Sequence, residues 1–264
     1  MMRPSCEETV VIKVRDLHNK YFSMTLGPYS RAVECRPGSF IHVRLPSSNL
    51  LFRRAMSVAN VDPSKGQIEI IFKVFGRGTE ALSHFRHGDK LDILGPLGVP
   101  FTLAKKGERT IMIAGGVGFP PLYFLAATMI VHGYNARKIH FFYGARTSGE
   151  LVERSRIRKL GVNLHFTTDD GSFGTCGLIT KPLQEFIEQH RNEKLRIYAC
   201  GPEAMLKATN ELGVQYHIPG QISLEAPMPC GIGVCLGCVV PMTAGGYARV
   251  CCEGPVFNIG EVRL

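Results

Sequence analysis

The chain has 264 residues, of which 45% are hydrophobic and 20% charged. That balance describes a soluble globular protein with material for one large domain or two ordinary ones, and it excludes disordered and collagen-like chains. The net charge of +9 is dispersed in pairs such as Arg53-Arg54 and Lys105-Lys106. Nucleic-acid binding needs a concentrated basic stripe with aromatic platforms, so none is expected; a diffusely positive surface suits phosphates or an acidic protein partner.

Met1 to Val10 carries acidic side chains where a secretion signal needs an apolar stretch, so a cytoplasmic protein is expected. Up to residue 102 the chain reads as short strands separated by Gly, Pro, Asn and Asp. Val10 to Val14, Phe40 to Val43 and Ile68 to Phe72 have the β-branched content and length of strands, which together predict a small antiparallel barrel. Arg54-Ala55-Met56-Ser57 follows a strand-like run, and Gly76-Arg77-Gly78-Thr79 opens a short helix. An arginine for phosphate and a Gly-Thr pair at a helix start suit an FAD pyrophosphate, although an arginine on a barrel surface is usually just solvated.

From 103 to 220 the rhythm changes to strand, helix, strand. Thr110 to Ala114, Lys138 to Tyr143 and Leu195 to Ala199 read as strands and Leu122 to Val131 as a helix, which predicts a parallel α/β sheet with a nucleotide at its carboxyl edge. Thr110 to His132 lacks Lys, Arg, Asp and Glu and is long enough to span a bilayer. Gly115, Gly116, Gly118, Pro120 and Pro121 divide it, so a strand, a turn and a buried helix are expected, and no membrane span. The three glycines would let backbone amides approach a pyrophosphate at the helix N-terminus. The motif is incomplete, since Pro121 stands where a third motif glycine would be, and a plain strand-to-helix turn explains it about as well. Tyr143-Gly144-Ala145-Arg146 ends a strand on the adenosine side, and Ala199-Cys200-Gly201-Pro202 puts a thiol at the same edge. Asp169-Asp170-Gly171 reads as a turn.

The stretch 221–264 is rich in Cys, Gly and Pro and too short for its own core, so it needs a metal centre or close docking to fold. Four of the nine cysteines are scattered (Cys6, Cys35, Cys176 and Cys200), and the other five lie between Cys230 and Cys252. Clustering of this kind favours metal over disulfides. Cys230, Cys235, Cys238 and Cys251 form Cys-x4-Cys-x2-Cys-x12-Cys, whose first three members have the spacing of plant-type [2Fe–2S] sites. Gly231, Gly233 and Gly237 supply the backbone freedom that turns thiolates and amides towards two irons. A zinc knuckle is the alternative, although zinc sites use two short Cys pairs. Spacing alone leaves Cys251 and Cys252 both open as the fourth ligand.

Together these segments resemble the ferredoxin-reductase-like flavoproteins, and within them the electron-transfer subunits of NAD-dependent dihydroorotate dehydrogenase. The resemblance covers nearly the whole chain. Besides the motifs above it rests on Gly95-Pro96-Leu97-Gly98, on Cys230 to Val240 and on Arg249 to Phe257. It implies a β-barrel FAD domain over 1–102, an NAD domain over 103–220 and a [2Fe–2S] module over 221–264. The family ending Val-Cys-x-Asp-Gly-Pro-Val-Phe selects Cys251 as the fourth ligand and leaves Cys252 at a variable position. Ala55 replaces the proline of the family's Arg-Pro-x-Ser, and Met56 falls beside the flavin ring. Ile71, Phe72 and Lys73 become a second FAD strand, Gly78 and Thr79 the pyrophosphate holders, and Cys200 the candidate catalytic residue beside the nicotinamide.

The implied activity is electron transfer in pyrimidine biosynthesis. A partner subunit oxidises dihydroorotate on FMN, in a heterotetramer with two copies of each chain, and electrons pass through the cluster and FAD to NAD. Input subunits of ferredoxin:NADP oxidoreductases and sulfide dehydrogenases share this plan, and a zinc-containing binding module is the alternative outside catalysis. Arg146 could meet a 2′-phosphate, which leaves NADP open.

Overall fold

The structure, a computed structural model, describes residues 4–45 and 50–264. Met1 to Arg3, where the segment read as lacking a secretion signal begins, lie outside the described residues.

Among the described residues six antiparallel strands close a barrel: β1 (Ser5–Asp16), β2 (Tyr21–Gly27), β3 (Phe40–Arg44), β4 (Arg54–Asp62), β5 (Gln67–Lys73) and β6 (Lys90–Leu97), in the order β1-β2-β5-β4-β3-β6. Alternate side chains fill it, among them Met24, Leu26, Ile41, Val43, Ile68, Ile70 and Ile93, as the two-residue period of a strand dictates. The three predicted strands lie inside β1, β3 and β5. The strand-like run before Arg54 is not a strand: Leu51 and Phe52 are 85% and 52% exposed, and pairing with β3 starts at Arg54. Helix α1 (Arg77–Ser83) leads from β5 to β6.

The second layer is a sheet of β7 (Arg109–Gly115), β8 (Ile139–Ala145), β9 (Asn163–Thr168), β10 (Thr175–Cys176), β11 (Leu195–Cys200) and β12 (Gly220–Ser223), interleaved with α2 (Phe119–Val131), α3 (Arg154–Arg158), α4 (Thr180–Gln189) and α5 (Glu203–Gln215). Its strands run parallel in the order β10-β9-β8-β7-β11-β12. Strand order turns back between β7 and β11, which makes their carboxyl ends the switch point where α/β sheets take ligands. The uncharged Thr110–His132 segment divides between β7 and α2, and no helix among the described residues is long and apolar enough to cross a membrane.

The last stretch contributes a hairpin, β13 (Val239–Pro241) and β14 (Tyr247–Arg249), and the strand β15 (Val256–Asn258), which pairs antiparallel with β12. Its apolar residues Cys238, Ala248, Val250, Cys251 and Phe257 share one core with Phe40 and Leu97 of the barrel and Ile222 of the sheet. The segment is therefore docked against both other layers and has no separate core.

Candidate flavin, nucleotide and cluster site

Two cavities open between barrel and sheet. The first, about 240 Å³, is lined by Ala55, Met56, Ser57, Ile71, Phe72, Lys73 and Thr79, and by Cys200 at the far side. The segments read as flavin-binding thus meet in one wall, because β3 and β5 both flank β4 in the barrel. Met56 also packs into the barrel core. Arg54 and Gly78 do not line this cavity but touch each other: a β-carbon on Gly78 would fall 2.2 Å from Arg54 Nε. Only a glycine lets the guanidinium lie flat on the start of α1. Thr79 Oγ1 accepts hydrogen bonds from the Phe75 and Gly76 amides (2.9 and 3.3 Å), fixing the turn that enters the helix.

The second cavity, about 560 Å³, follows the switch point and is lined by Gly115, Gly116, Gly144, Ala145, Arg146, Gly201 and Pro202. Gly118 plays a different part, because its β-carbon would sit 2.3 Å from the Cys200 carbonyl oxygen; it lets the turn between β7 and α2 pack closely on the end of β11. Asp169 to Gly171 forms a turn, with Gly171 at φ +72° and Asp170 Oδ1 accepting from the Ser172 amide at 3.0 Å.

The cavities adjoin and share Lys73, Phe75, Val117 and Glu225. Lys73 Nζ is 2.7 Å from Glu150 Oε1 and 5.1 Å from the centre of the Tyr21 ring. A second set of ion pairs joins barrel to sheet, with Arg156 Nη1 donating to Glu69 Oε1 at 2.8 Å and Arg15 Nη1 to Glu153 Oε1 at 3.2 Å. Burial pushes the Cys200 thiol well above its usual range, and the nearby Glu225 carboxylate adds to the rise. Crowding of the cleft likewise raises the Glu225 carboxyl. Tyr21, Glu150 and Glu225 were not legible as site residues, since each stands outside the motifs and reaches the cleft through the packing of barrel on sheet, and Phe75, although it lies between two flavin segments, carries no signal of its own.

The cluster loop begins two residues after Met228, a flavin-cavity residue. Gly231 and Gly233 take φ +71° and +77°, and so does Leu236 at +57°, which turns successive amides inwards. Cys238 and Cys251 are buried side by side, the Cys251 amide donating to Cys238 Sγ at 3.4 Å. Cys230 lies next to Cys235. Burial raises its thiol, but backbone donation from Cys235, Ile232 and Val234 outweighs this and brings it to about 6. Among the described residues no three ligand-type side chains gather as they would round one ion. Cys252 Sγ is 3.7 Å from Cys251 Sγ and packs on Gly233, whose β-carbon would lie 2.6 Å away.

Three segments of the chain match known domain families. Residues 12–101 match an oxidoreductase FAD-binding domain, 112–211 an oxidoreductase NAD-binding domain, and 225–263 the iron-sulfur cluster binding domain of dihydroorotate dehydrogenase B. The chain is 36% identical over 264 residues to the dihydroorotate dehydrogenase B (NAD(+)) electron transfer subunit of Geobacillus thermodenitrificans, covering 98% of each. With the same subunit of Shouchella clausii it is 39% identical over 236 residues, 87% of each. Among solved structures, the NADH-dependent reduced ferredoxin-NADP oxidoreductase superposes with a TM-score of 0.85 at 28% identity, covering 97% of this chain and 89% of that one. The cytochrome b5 reductase domain of Ulva prolifera nitrate reductase, at 18% identity and a TM-score of 0.68, shares the fold. The chain belongs to the electron transfer subunits of dihydroorotate dehydrogenase B, an oxidoreductase family built from FAD-, NAD- and iron–sulfur-binding domains.

Proposed function

We propose that this chain takes electrons from a dihydroorotate-oxidising, FMN-carrying partner subunit and delivers them to NAD⁺, in the cytoplasmic synthesis of pyrimidines. One observation carries the reading: the three sites adjoin. The cluster loop continues through Met228 into the flavin cavity, and that cavity shares a wall with the nucleotide cavity. When bound, FAD and the [2Fe–2S] cluster supply the conversion between one-electron and two-electron transfer.

The side chains bind and orient. Cys230 and Cys235 would hold one iron, Cys238 and Cys251 the other. Ala55, Met56, Ser57, Ile71 and Phe72 would form the flavin wall, and Arg54, resting on Gly78 and α1, the contact for its pyrophosphate. Gly115 and Gly116 leave the switch point open to the nucleotide backbone. Lys73, anchored by Glu150, places a cation at the seam where both dinucleotides would present anionic groups. Cys200, kept as the neutral thiol, shapes the nicotinamide side of the flavin cavity without acting as a nucleophile.

The chain divides by role at 1–102, 103–220 and 221–264, and two copies pair with two partner subunits. Exposed apolar residues on the cluster loop, Ile232 (48%), Val234 (75%) and Leu236 (59%), support docking of the partner at that loop. The likeness to the solved oxidoreductase supports a second reading, electron exchange with ferredoxin and NADP. Anaerobic purification of the tagged chain from its host separates the two. A co-purifying subunit and dihydroorotate-dependent NADH formation are expected, and a flavin-containing, NADH-oxidising complex inert to dihydroorotate would favour the second reading.

A further inference from the structure

His42 is fully buried, yet neither of its ring nitrogens has a hydrogen-bond partner among the described residues. An imidazole in water satisfies both nitrogens, so leaving them orphaned forfeits that hydration with nothing in return. Such a group in a folded protein calls for an explanation in terms of a bound species. The ring's position supplies one. His42 packs against the cluster loop: a β-carbon on Gly231, the residue after Cys230, would lie 2.7 Å from His42 Cε1 and 2.8 Å from Nδ1. On β3 it neighbours Phe40, ring centres 5.6 Å apart, and its cross-strand partner on β4 is Ala55. Phe40 and Ala55 both line the flavin cavity. His42 is thus wedged between the cluster loop and the flavin wall.

We propose that His42 donates a ring N–H to a sulfur of the [2Fe–2S] cluster on the Cys230 side. The inference rests on the cysteine assignment above. A donor aimed at a cluster sulfur stabilises the added negative charge of the reduced state and raises the potential. Glycine at 231 fits this role, since any side chain there would displace the ring.

The test uses the full chain, purified anaerobically with its accompanying subunit, in wild-type, His42→Phe, His42→Gln and Cys235→Ser forms. Iron and sulfide content is measured first and the cluster potential by spectroscopic titration second. His42→Phe should retain iron and sulfide and shift the potential downwards, with about a tenfold loss in the reduction equilibrium, equivalent to about 59 mV for one electron. His42→Gln should recover part of the shift. Protein labelled with ring-¹⁵N histidine should show a weak ¹⁵N coupling in pulsed EPR of the reduced cluster, a readout that needs no variant to fold. An intact cluster with unchanged potential in His42→Phe, or no ¹⁵N coupling in wild type, overturns the inference while the cluster reading stands. Iron and sulfide absent from wild type, or retained in full by Cys235→Ser, overturn the ligand assignment and this inference with it.

Discussion

Lys73 and Glu150 meet at 2.7 Å across the seam between barrel and sheet, with only 11% and 19% of their side chains exposed. Lys73 belongs to a strand that lines the flavin cavity, and Glu150 to a turn beside the nucleotide cavity. The pair therefore couples the two halves where their ligands would touch. Burial raises the Glu150 carboxyl, but hydrogen bonding and charge from Lys73, with help from Arg146, leave it below the usual range. Its stabilisation is full above the unfolded value of 4.5 and is lost as pH falls through the lower folded pKa. Lys73→Met should lower stability by about 1–2 kcal/mol, modest because Glu150 keeps Arg146. The difference should shrink in melts below about pH 4.5. A gap that stays constant as pH falls from neutral through and below 4.5, the direction in which the carboxyl is depressed, would mean that the pair contributes nothing by charge.

Gly118, in the turn between β7 and α2, and the Cys200 carbonyl define how closely that turn packs on the end of β11. A methyl group on Gly118 would lie 2.3 Å from that oxygen, a backbone atom that cannot rotate away. Gly118→Ala should cost about 2–3 kcal/mol by overpacking, roughly 4–12 °C in Tm for a chain of this size. It should also weaken NADH binding by opening the switch point. Gly116→Ala meets no close atom but sits at φ +51°, so about 1 kcal/mol of strain is expected there. Thermal melts of the two variants give the order; equal costs would contradict the packing argument.

Cys200 is 4% exposed, and burial holds it as the thiol. Cys200→Ala should reduce NADH oxidation by less than about tenfold, because no thiolate takes part. The wild-type rate should show no thiol inflection between about pH 7 and 9. An inflection near pH 8.5 that vanishes in the variant would restore a reactive role, since that is about the pKa of a free thiol.

The parts that could be read from sequence are those whose chemistry is local. The cysteine spacing, the glycine turn and the strand runs of β3 and β5 each sit within a couple of dozen residues, and both strands form where they were expected. Leu50 to Phe52 misled because apolar content alone does not make a strand; these residues have no ladder partner, and Leu51 and Phe52 face outwards. His42 and Glu225 could not be recognised. His42 reads as one polar position in a strand until the cluster loop folds over it, and Glu225 becomes a cleft residue only because β12 carries the chain past the end of β11. The flavin role of Arg54 was a modest signal in its own segment, strengthened by the resemblance, and its contact with Gly78 depends on β4 lying beside α1.

The neighbouring thiols at 251 and 252 can be told apart by assay. Cys251 is buried against Cys238, whereas Cys252 turns to Gly233. Cys251→Ser should lose most of its iron and sulfide and loosen the C-terminal segment, since a metal site contributes folding free energy. Cys252→Ser should keep both. Iron loss confined to the second variant would exchange their roles.

The tip of the cluster loop is apolar and exposed. Ile232, Val234 and Leu236 project from the stretch proposed to hold the cluster, and their exposure serves no core. Such side chains cost solubility unless another surface covers them, and cover at this tip would also exclude water from the route of electron entry. Val234→Asp places a charge at the most exposed of the three without touching a cysteine. It should leave FAD, iron, sulfide and NADH oxidation by an artificial acceptor unchanged. Affinity for the partner subunit should fall by at least about tenfold, equivalent to about 1.4 kcal/mol, with dihydroorotate-dependent NADH formation falling in proportion. Unaltered assembly in size-exclusion and titration experiments would move the docking face away from the cluster loop.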